Sequence, residues 1–484
     1  MDFVDEAYYL YFLPATLFLT FLAGRKKKNL QLIILLLMSY IFFCIASGWH
    51  IILLLISTIL DWTAAKRIES TDELSKRKKW LTGSLVINLS LLGVFKYLDL
   101  IIESLNLVSL KINQDSLIDP IGLALPVGIS FYTFQTMSYT IDVYLGKQKT
   151  YDSFTKFACY AAFFPQLVAG PIVRADHFKD ELEKEISFNP RNLKVGLTFI
   201  VYGICKKLVI ADNLALHANT VFVEGEHLAN IGLIWWATLC FGIQIYCDFS
   251  AYTDIAIGSA FILGIKLPEN FKTPYAAKSP QDFWRRWHIS LSTWLRDYLY
   301  IPLGGSRNGK KRMLFALMVT MILGGLWHGA SWNFVLWGLV HGLLLVAHRF
   351  GSELSPIKWV FSKSKVFAGI FSWLITQYLI FFTWLIFRIE NTDVLLPAMK
   401  TFLTINGHFD SEEFFEVLPE IKIVTFLIAA LFILLHAISG KVGRARDRIS
   451  DFKPILWGLS MGMMLSLAFY LRPVETIDFI YFRF

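Results

Sequence analysis

Long apolar runs recur along the whole chain and are separated by short polar loops. Each run approaches the roughly 20 residues that an α-helix needs to cross a bilayer. The runs are too long and too continuously apolar for the alternating strands of a membrane β-barrel. The pattern therefore predicts an all-α, polytopic integral membrane protein with about 11–12 transmembrane helices. The predicted spans lie near 7–24, 30–47, 51–65, 81–97, 123–145, 197–221, 231–247, 313–329, 334–348, 367–387, 423–438 and 455–471.

One further apolar run, 157–172, is short and is interrupted by Pro165, Gly170 and Pro171. Irregular backbone at membrane depth is tolerated only inside protein or beside a water-filled cavity. The run is therefore predicted to be re-entrant. The polar stretch 174–185 that follows is expected to form a surface helix.

Composition supports a membrane protein. Of the 484 residues, 55% are apolar and 17% are charged, against about 25% charged in soluble domains. The five cysteines lie in or beside apolar runs and form no CxxC pair, so we expect neither a disulfide framework nor a zinc site. Acidic residues precede the first apolar run, which favours an uncleaved first span over a signal peptide.

The net charge of +8 is concentrated in short loops, as the positive-inside rule expects, so it indicates orientation and not a nucleic-acid partner. The acidic loop 410–420 is assigned to the outside. Twelve crossings then place the N-terminus and the tail 472–484 outside the cytoplasm. Within the most basic loop, 283–305 is amphipathic and aromatic enough to dip into the membrane. The basic loops assigned to the cytoplasm are 25–28, 66–79, 266–312 and 441–448.

His328 stands in an apolar run without formal charge, and an ionisable group at membrane depth is a functional hypothesis. On a continuous helix, Gly324 would lie one turn before it and Trp332 one turn after it. Gly324 and Gly325 leave room for a neighbouring backbone or a thin ligand. A neutral imidazole there could act as a base. The alternative is a structural histidine bonded to a carbonyl of another helix, and the spacing favours neither.

His288 lies among arginines and tryptophans on the predicted cytoplasmic side. Guanidinium groups suit phosphates and indole faces suit flat rings, so the cluster is a candidate site for a nucleotide-bearing acyl donor. The alternative, an interfacial aromatic belt beside lipid headgroups, is the more common arrangement. The cluster consists of Trp284, Arg285, Arg286, Trp287, His288, Trp294 and Arg296.

Two further sets of polar residues lie in apolar runs. Asp248 and Asp254 do not share a helix face at a spacing of six, so each is expected to pair with an arginine or to cap a broken helix. His341 and His348 share a face without a carboxylate nearby. The HExxH, P-loop, GxSxG and GxGxxG patterns do not occur, so metal chemistry and phosphoryl transfer have little support and no metal site is expected.

Several long stretches together resemble the membrane-bound O-acyltransferases, most closely the bacterial alginate O-acetyltransferase-like branch. The resemblance runs from about residue 45 to the end. It implies a single domain, 1–484, with a motif-bearing core at 125–348, in which helices surround a thin centre between a cytoplasmic and an outer funnel. The stretches are 125–144, 163–174, 247–258, 268–305, 324–342 and 479–484. Within them the motif residues other than histidines 288 and 328 are Asp248, Asp254, Gly324, Trp327 and His341.

The resemblance also implies an activity and a site. His328 corresponds to the signature histidine and His288 to a second motif histidine. Members move an acyl group from a cytoplasmic thioester, such as acetyl-CoA, to a hydroxyl; in this branch the acceptor is an extracytoplasmic partner protein or a glycan such as alginate. We expect His328 to act as general base or acyl relay, His288 to orient the donor or polarise its carbonyl, and Arg285 and Arg286 to bind its phosphates.

The same reading predicts a multi-pass protein of the bacterial inner membrane without a permanently bound cofactor. The acidic loop 409–420 and the tail 479–484 are the expected contacts of an extracytoplasmic partner. Alternative reactions are acetylation of peptidoglycan or cellulose and D-alanyl transfer to teichoic acid. A transporter using intramembrane His and Asp is the alternative outside enzymes, and the lack of an internal repeat weakens it. A non-catalytic scaffold would not explain the paired histidine motifs.

Overall fold

The computed structural model describes most of the chain, and its regular structure is helical apart from one isolated bridge between Asn230 and His408. The all-α prediction is therefore confirmed. The described residues are 3, 5–24, 27–112, 118–168, 170–184, 186–225, 227–351, 364–404, 408–418, 422–474 and 477–480.

Seven described helical segments are long and apolar enough to cross a membrane, which confirms a polytopic architecture. The first of them contains two predicted spans, joined at a tight turn at Gly48–His50 where Gly48 has a φ of 59°. The shorter apolar helix Tyr8–Leu22 corresponds to the predicted first span. The seven segments are Lys28–Glu69, Leu74–Lys111, Ile231–Ile262, Trp332–Gly351, Val366–Arg388, Ile423–Gly440 and Pro454–Leu471.

The described residues pack into two compact units, Met1–Ile200 with Thr253–Pro268 and Val201–Tyr252 with Glu269–Phe484. The first half of the chain supplies α1 (Leu13–Leu22), α2 (Lys28–Ser47), α3 (Ile51–Glu69), α4 (Leu74–Lys111), α5 (Ile129–Tyr144), α6 (Phe154–Ala162), α7 (Phe164–Leu167), α8 (Ala175–Glu183), α9 (Pro190–Cys205), α10 (Asp212–Glu224) and α11 (Ile231–Ile262). The second half supplies α12 (Pro280–Trp284), α13 (Ile289–Leu295), α14 (Gly309–His328), α15 (Trp332–Gly351), α16 (Lys365–Arg388), α17 (Thr392–Thr404), α18 (Ser411–Val417), α19 (Lys422–Val442), α20 (Ala445–Ile449) and α21 (Pro454–Leu471).

Helix boundaries differ from the sequence prediction where polar residues continue a helix or where glycine ends one. The polar residues just before position 81 are themselves helical and extend α4 at its N-terminus, so the helix is 38 residues long. The predicted span 123–145 begins as a helix only at Ile129, because Gly128 adopts a left-handed conformation with a φ of 72°. A side chain at Gly128 would overlap the carbonyl of Leu167, so this turn requires glycine.

The interrupted run 157–172 contains two short helices separated at Phe163; its predicted re-entrant position in the membrane stays a prediction. Helix α6 ends at Ala162, Phe163 leaves the helical conformation with a ψ of 110°, and Pro165 lies in the first turn of α7. The predicted surface helix is α8, which buries Phe178 and Leu182.

A buried carboxylate connects three helices of the first unit. The amide of Asn88 donates to both oxygens of Asp61, at 3.0 and 3.1 Å, and the hydroxyl of Thr140 donates at 3.3 Å. The hydroxyl of Ser84 also donates to Asp61. Four donations from neutral groups compensate the carboxylate for its lost hydration, so this network fixes α3, α4 and α5 against one another.

Candidate functional site

His328 is the last residue of α14, and this changes its predicted surroundings. Gly329 adopts an extended conformation, with φ −162° and ψ 161°, and Trp332 begins the next helix. The expectation that Trp332 lies one turn further on the same helix is therefore wrong, and Trp332 is 59% exposed. His328 itself is only 3% exposed.

Close helix packing positions His328. A side chain at Gly325 would overlap the carbonyl of Phe334 and approach the Gly338 backbone to 3.0 Å. The room that the glycines leave is therefore filled by the backbone of α15, one of the two predicted occupants. Gly324 faces the side chain of Leu295, which a Cβ would approach to 3.0 Å.

Aromatic rings enclose the imidazole of His328. The ring centroids of Trp337 and Phe387 lie 5.0 and 5.4 Å from it. The Trp337 ring also contacts His341, at 4.4 Å, and Trp284, at 5.7 Å. We call His328, His341, Trp284, Trp337 and Phe387 the two-histidine cluster.

Both predicted catalytic histidines contact the ring of Trp327. The Trp327 ring lies 5.1 Å from His328 and 5.7 Å from His288, measured between centroids. The structure therefore brings together residues that are forty positions apart in the sequence. Phe249 contacts His288 from another side, at 4.8 Å.

His288 is buried in a strained backbone conformation. Its φ is 40°, a value that residues other than glycine seldom adopt. Its Nδ1 accepts a hydrogen bond from the backbone N–H of Leu291 at 3.4 Å, so His288 caps α13. Burial lowers the pKa of His288 to about 3, so the imidazole is neutral near pH 7, and the acceptor role of Nδ1 places its proton on Nε2.

The backbone after His288 is bound by one asparagine. The carbonyl oxygen of Asn270 accepts from the N–H of Ile289 at 2.9 Å, and its side-chain oxygen accepts from both N–H and hydroxyl of Ser290. Sequence reasoning missed Asn270, because a polar residue in a loop gives no signal of its long-range partner.

The predicted arginines differ in their availability. Arg286 is paired with Asp282 at 2.8 Å and Arg296 with Asp297 at 2.7 Å, both near the surface. Arg285 is exposed. A phosphate would compete with a carboxylate for the side chains of Arg286 and Arg296. Arg285 and Arg296 are the exposed cations of the predicted set.

The tryptophans of the predicted donor cluster are mostly internal. Trp287 is buried between Phe283, at 5.6 Å, and Trp384, at 4.8 Å. Trp294 is also buried and contacts Tyr298 at 5.1 Å. These contacts favour a role for Trp287 and Trp294 in interior packing over stacking on a ligand. Trp284 belongs to the two-histidine cluster.

Asp248 has a lysine as its partner, so the expectation of an arginine or a helix cap is wrong. It lies within α11, which continues unbroken to Ile262. Lys207 Nζ lies 3.0 Å from Asp248 and 2.7 Å from Asp212, all three being buried. The sequence signal was present, since Lys207 and Asp212 are ionisable groups inside a predicted span. Asp254 is buried in the portion of α11 that belongs to the first unit.

The C-terminal tail is bound at this ion cluster. Lys207 Nζ donates to the carbonyl of Ile477 at 2.8 Å, and Asp248 accepts from the N–H of Ile480 at 2.8 Å. Phe479 is fully buried and stacks on Tyr252 with centroids 3.8 Å apart. Of the predicted partner contact 479–484, the described residues Phe479 and Ile480 are therefore buried, contrary to the exposure on which that hypothesis rested; 481–484 lie outside the described residues.

Within the described ranges, no group of three or more His, Cys, Asp or Glu side chains is arranged to hold a metal ion.

Comparison with known proteins gives the family. The model of the MBOAT, membrane-bound O-acyltransferase family matches residues 143–389. A probable alginate O-acetylase of Pseudomonas aeruginosa is 38% identical over 422 residues, which cover 84% of this chain and 76% of that protein. A peptidoglycan O-acetyltransferase of Helicobacter pylori is 36% identical over 426 residues, or 82% and 78%. A teichoic acid D-alanyltransferase of Bacillus subtilis is 29% identical over 278 residues, or 54% and 68%. The resemblance of its motifs is thus confirmed, and the chain belongs to the membrane-bound O-acyltransferase family as a multi-pass O-acyltransferase.

Proposed function

We propose that this enzyme transfers an acetyl group from a cytoplasmic thioester, such as acetyl-CoA, to a hydroxyl of an extracytoplasmic partner protein or polysaccharide. The observation that carries the proposal is the burial of His328 beside Trp327, which also contacts His288. An imidazole among uncharged rings is a competent base for a hydroxyl, and a water-poor site protects a thioester from hydrolysis.

In the proposed reaction, His328 removes the proton of the acceptor hydroxyl as its oxygen attacks the thioester carbonyl carbon. A tetrahedral intermediate forms, the carbon–sulfur bond then breaks, and the leaving thiolate takes the proton from the His328 imidazolium. The alternative is a relay in which a ring nitrogen of His328 attacks the thioester carbonyl carbon, the carbon–sulfur bond breaks, and the thiolate leaves with the N–H proton of the ring. The acceptor hydroxyl then attacks the acyl-imidazole, the acyl–nitrogen bond breaks, and the released imidazole takes the hydroxyl proton. In both routes His288 acts as a positioning group for the donor.

The donor is proposed to enter from the cytoplasmic side, where the basic loop 266–312 lies under the positive-inside rule. Arg285 is the exposed cation nearest in sequence to His288 and would bind the donor's phosphates. The enzyme would reside in the bacterial inner membrane with both termini outside the cytoplasm.

The acceptor class is proposed from the relatives' names. Two relatives that are more than 35% identical carry names that refer to alginate and to peptidoglycan, which favours O-acetylation of a cell-surface or secreted polysaccharide. D-alanyl transfer to teichoic acid is the second candidate, since that relative matches only 54% of this chain.

The test uses purified protein in liposomes with isotope-labelled acetyl-CoA. Label transfer to protein or thioester hydrolysis is measured for wild type, His328→Ala and the control His348→Ala, a half-buried histidine on α15 outside the site. We expect His328→Ala to reduce turnover at least about 100-fold and the control to retain it. Full turnover in His328→Ala would refute the mechanism. If the wild type shows no turnover even with alternative carrier thioesters and partner proteins, the donor assignment would be refuted.

A further inference from the structure

Three neighbouring side chains of the two-histidine cluster have buried polar atoms without a hydrogen-bond partner among the described residues. These atoms are both ring nitrogens of His341 and the indole Nε1 atoms of Trp284 and Trp337. His341 and Trp337 are fully buried. Unpaired buried donors are costly and rare in folded proteins, so three adjacent ones mark a place that a further molecule completes.

The side chains of His341, Trp337 and Trp284 lie against one another. The His341 ring lies 4.4 Å from that of Trp337 and 5.1 Å from that of Trp284, between centroids, and the two indoles lie 5.7 Å apart. Trp337 is at the same time 5.0 Å from the ring of His328. The side chains that carry the unpaired groups are therefore next to the proposed catalytic base.

Helix packing keeps His341 in place. A side chain at Gly338 would overlap the carbonyl of Met321, and one at Gly342 would lie 2.8 Å from the sulfur of Met318. These two glycines flank His341 and press α15 against α14, so the imidazole belongs to a rigid element, as a preorganised donor requires.

The chemistry of the three groups selects the ligand atom. An indole N–H can only donate, and a neutral imidazole donates from one nitrogen. The rings that contact His341 are Phe283, Trp284 and Trp337, all uncharged. Such a set suits a neutral carbonyl oxygen, and it stabilises the negative charge that develops on that oxygen only in the transition state.

We propose that His341, together with the indole N–H groups of Trp337 and Trp284, donates hydrogen bonds to the carbonyl oxygen of the donor's acyl group. The inference rests on the proposed acyl transfer. As the hydroxyl oxygen bonds to the carbonyl carbon, the π electrons of the carbonyl group move onto the carbonyl oxygen. The three donors stabilise the oxyanion that forms there. When the carbon–sulfur bond breaks, the carbonyl reforms and the thiolate departs with the proton from His328.

The first test compares His341→Phe with His341→Gln in the acetyl-CoA assay. Phenylalanine keeps the aromatic contact with Phe283 but removes the donor, and we expect kcat to fall roughly 100-fold with little change in KM. Glutamine retains an N–H and should recover a large part of the loss. The matched control, His348→Phe on the same helix, should leave kcat unchanged.

A second test reads the carbonyl contact without turnover. Two unreactive analogues of acetyl-CoA are compared in a binding assay, a ketone that retains the carbonyl and an S-ethyl thioether that lacks it. Wild type should prefer the ketone, and His341→Phe should reduce this preference by about 10-fold, as expected for the loss of one hydrogen bond, while binding the thioether normally.

The outcomes separate the two claims. An equal preference for the ketone in wild type and His341→Phe would overturn the role of His341 and leave the acyltransferase reaction standing; the cluster would then hold a structural water. If the wild type binds neither analogue and does not turn over acetyl-CoA, the donor assignment fails and the inference fails with it.

Discussion

His288 departs from what its neighbours in the sequence predict. The amphipathic pattern around it predicts a segment at the membrane surface, yet its ring is buried against Phe249 and Trp327. The left-handed φ of 40° makes the reversal between α12 and α13 possible. A strained backbone conformation persists where surrounding hydrogen bonds hold it in place. Here Asn270 accepts those hydrogen bonds from the residues that follow His288. A conformation of this kind cannot be read from residue types alone.

The buried imidazole of His288 gives a pH-dependent stability. Its pKa falls from 6.5 to about 3 because burial disfavours the charged ring. The unfolded state therefore binds more protons between these values, so stability is complete above pH 6.5 and decreases as the pH falls toward 3. We expect His288→Asn, which tolerates the left-handed conformation, to flatten the slope of Tm against pH below 6.5.

The measurement is thermal unfolding in detergent across this pH range, for wild type and variant. His408→Gln serves as control, because His408 is exposed and should leave the slope as in wild type. An identical slope in His288→Asn would mean that other groups cause the acid sensitivity.

At the scale of elements, the hairpin of α14 and α15 determines where His328 lies. The helices approach at Gly325 and Gly338, where each glycine faces backbone of the other helix. The apolar pattern predicted both helices, but it could not show that these glycines face one another. Contact of this kind positions the end of α14, and with it the imidazole of His328.

Gly325→Ala tests this contact. The added methyl group would overlap the carbonyl of Phe334, so the helices must separate, and overpacking typically costs about 1–3 kcal/mol. We expect a lower Tm together with reduced acetyl-CoA turnover, because His328 moves with α14. The control Gly458→Ala lies in a helix with no atom within 4 Å of the new methyl group and should be neutral or stabilising. Equal effects of the two substitutions would show that the close contact is unimportant.

The position of the C-terminal tail depends on contacts that form only in the folded chain. Its contacts join Lys207, Asp248 and Ile480, which lie far apart in the sequence. Lys207→Met leaves two buried carboxylates without their cation, and breaking a buried pair costs about 3–5 kcal/mol. We expect a lower Tm and faster removal of the tail by carboxypeptidase.

The control is Lys400→Met, since Lys400 is exposed. The triple variant that also carries Asp212→Asn and Asp248→Asn removes the uncompensated charges and should regain part of the stability. Unchanged protease resistance in Lys207→Met would mean that the stacking of Phe479 on Tyr252 alone retains the tail.

At the scale of the whole molecule, the sequence predicts what depends on local pattern. Apolar runs identified the helices, and the apolar surroundings of His328 and the Trp-rich surroundings of His288 marked both residues as candidates. The sequence does not predict what depends on distant contact, such as the partner of Asp248 or the burial of Phe479. Trp337 was missed for the same reason, since its spacing of four from His341 is visible but its contact with His328 is not.

Orientation in the membrane is the whole-molecule property that loop charge predicts and that impermeant labelling can test. Arg307 lies in the basic loop assigned to the cytoplasm and Glu412 in the acidic loop assigned to the outside, and both are exposed. With the exposed Cys44 replaced by alanine, an impermeant maleimide should label Glu412→Cys in spheroplasts with an intact inner membrane and Arg307→Cys only after that membrane is permeabilised. The reason is that translocating a Lys- and Arg-rich loop is disfavoured. The reverse pattern would place the exposed Arg285 outside the cytoplasm, away from any CoA thioester, and the donor would then have to be a different class of molecule.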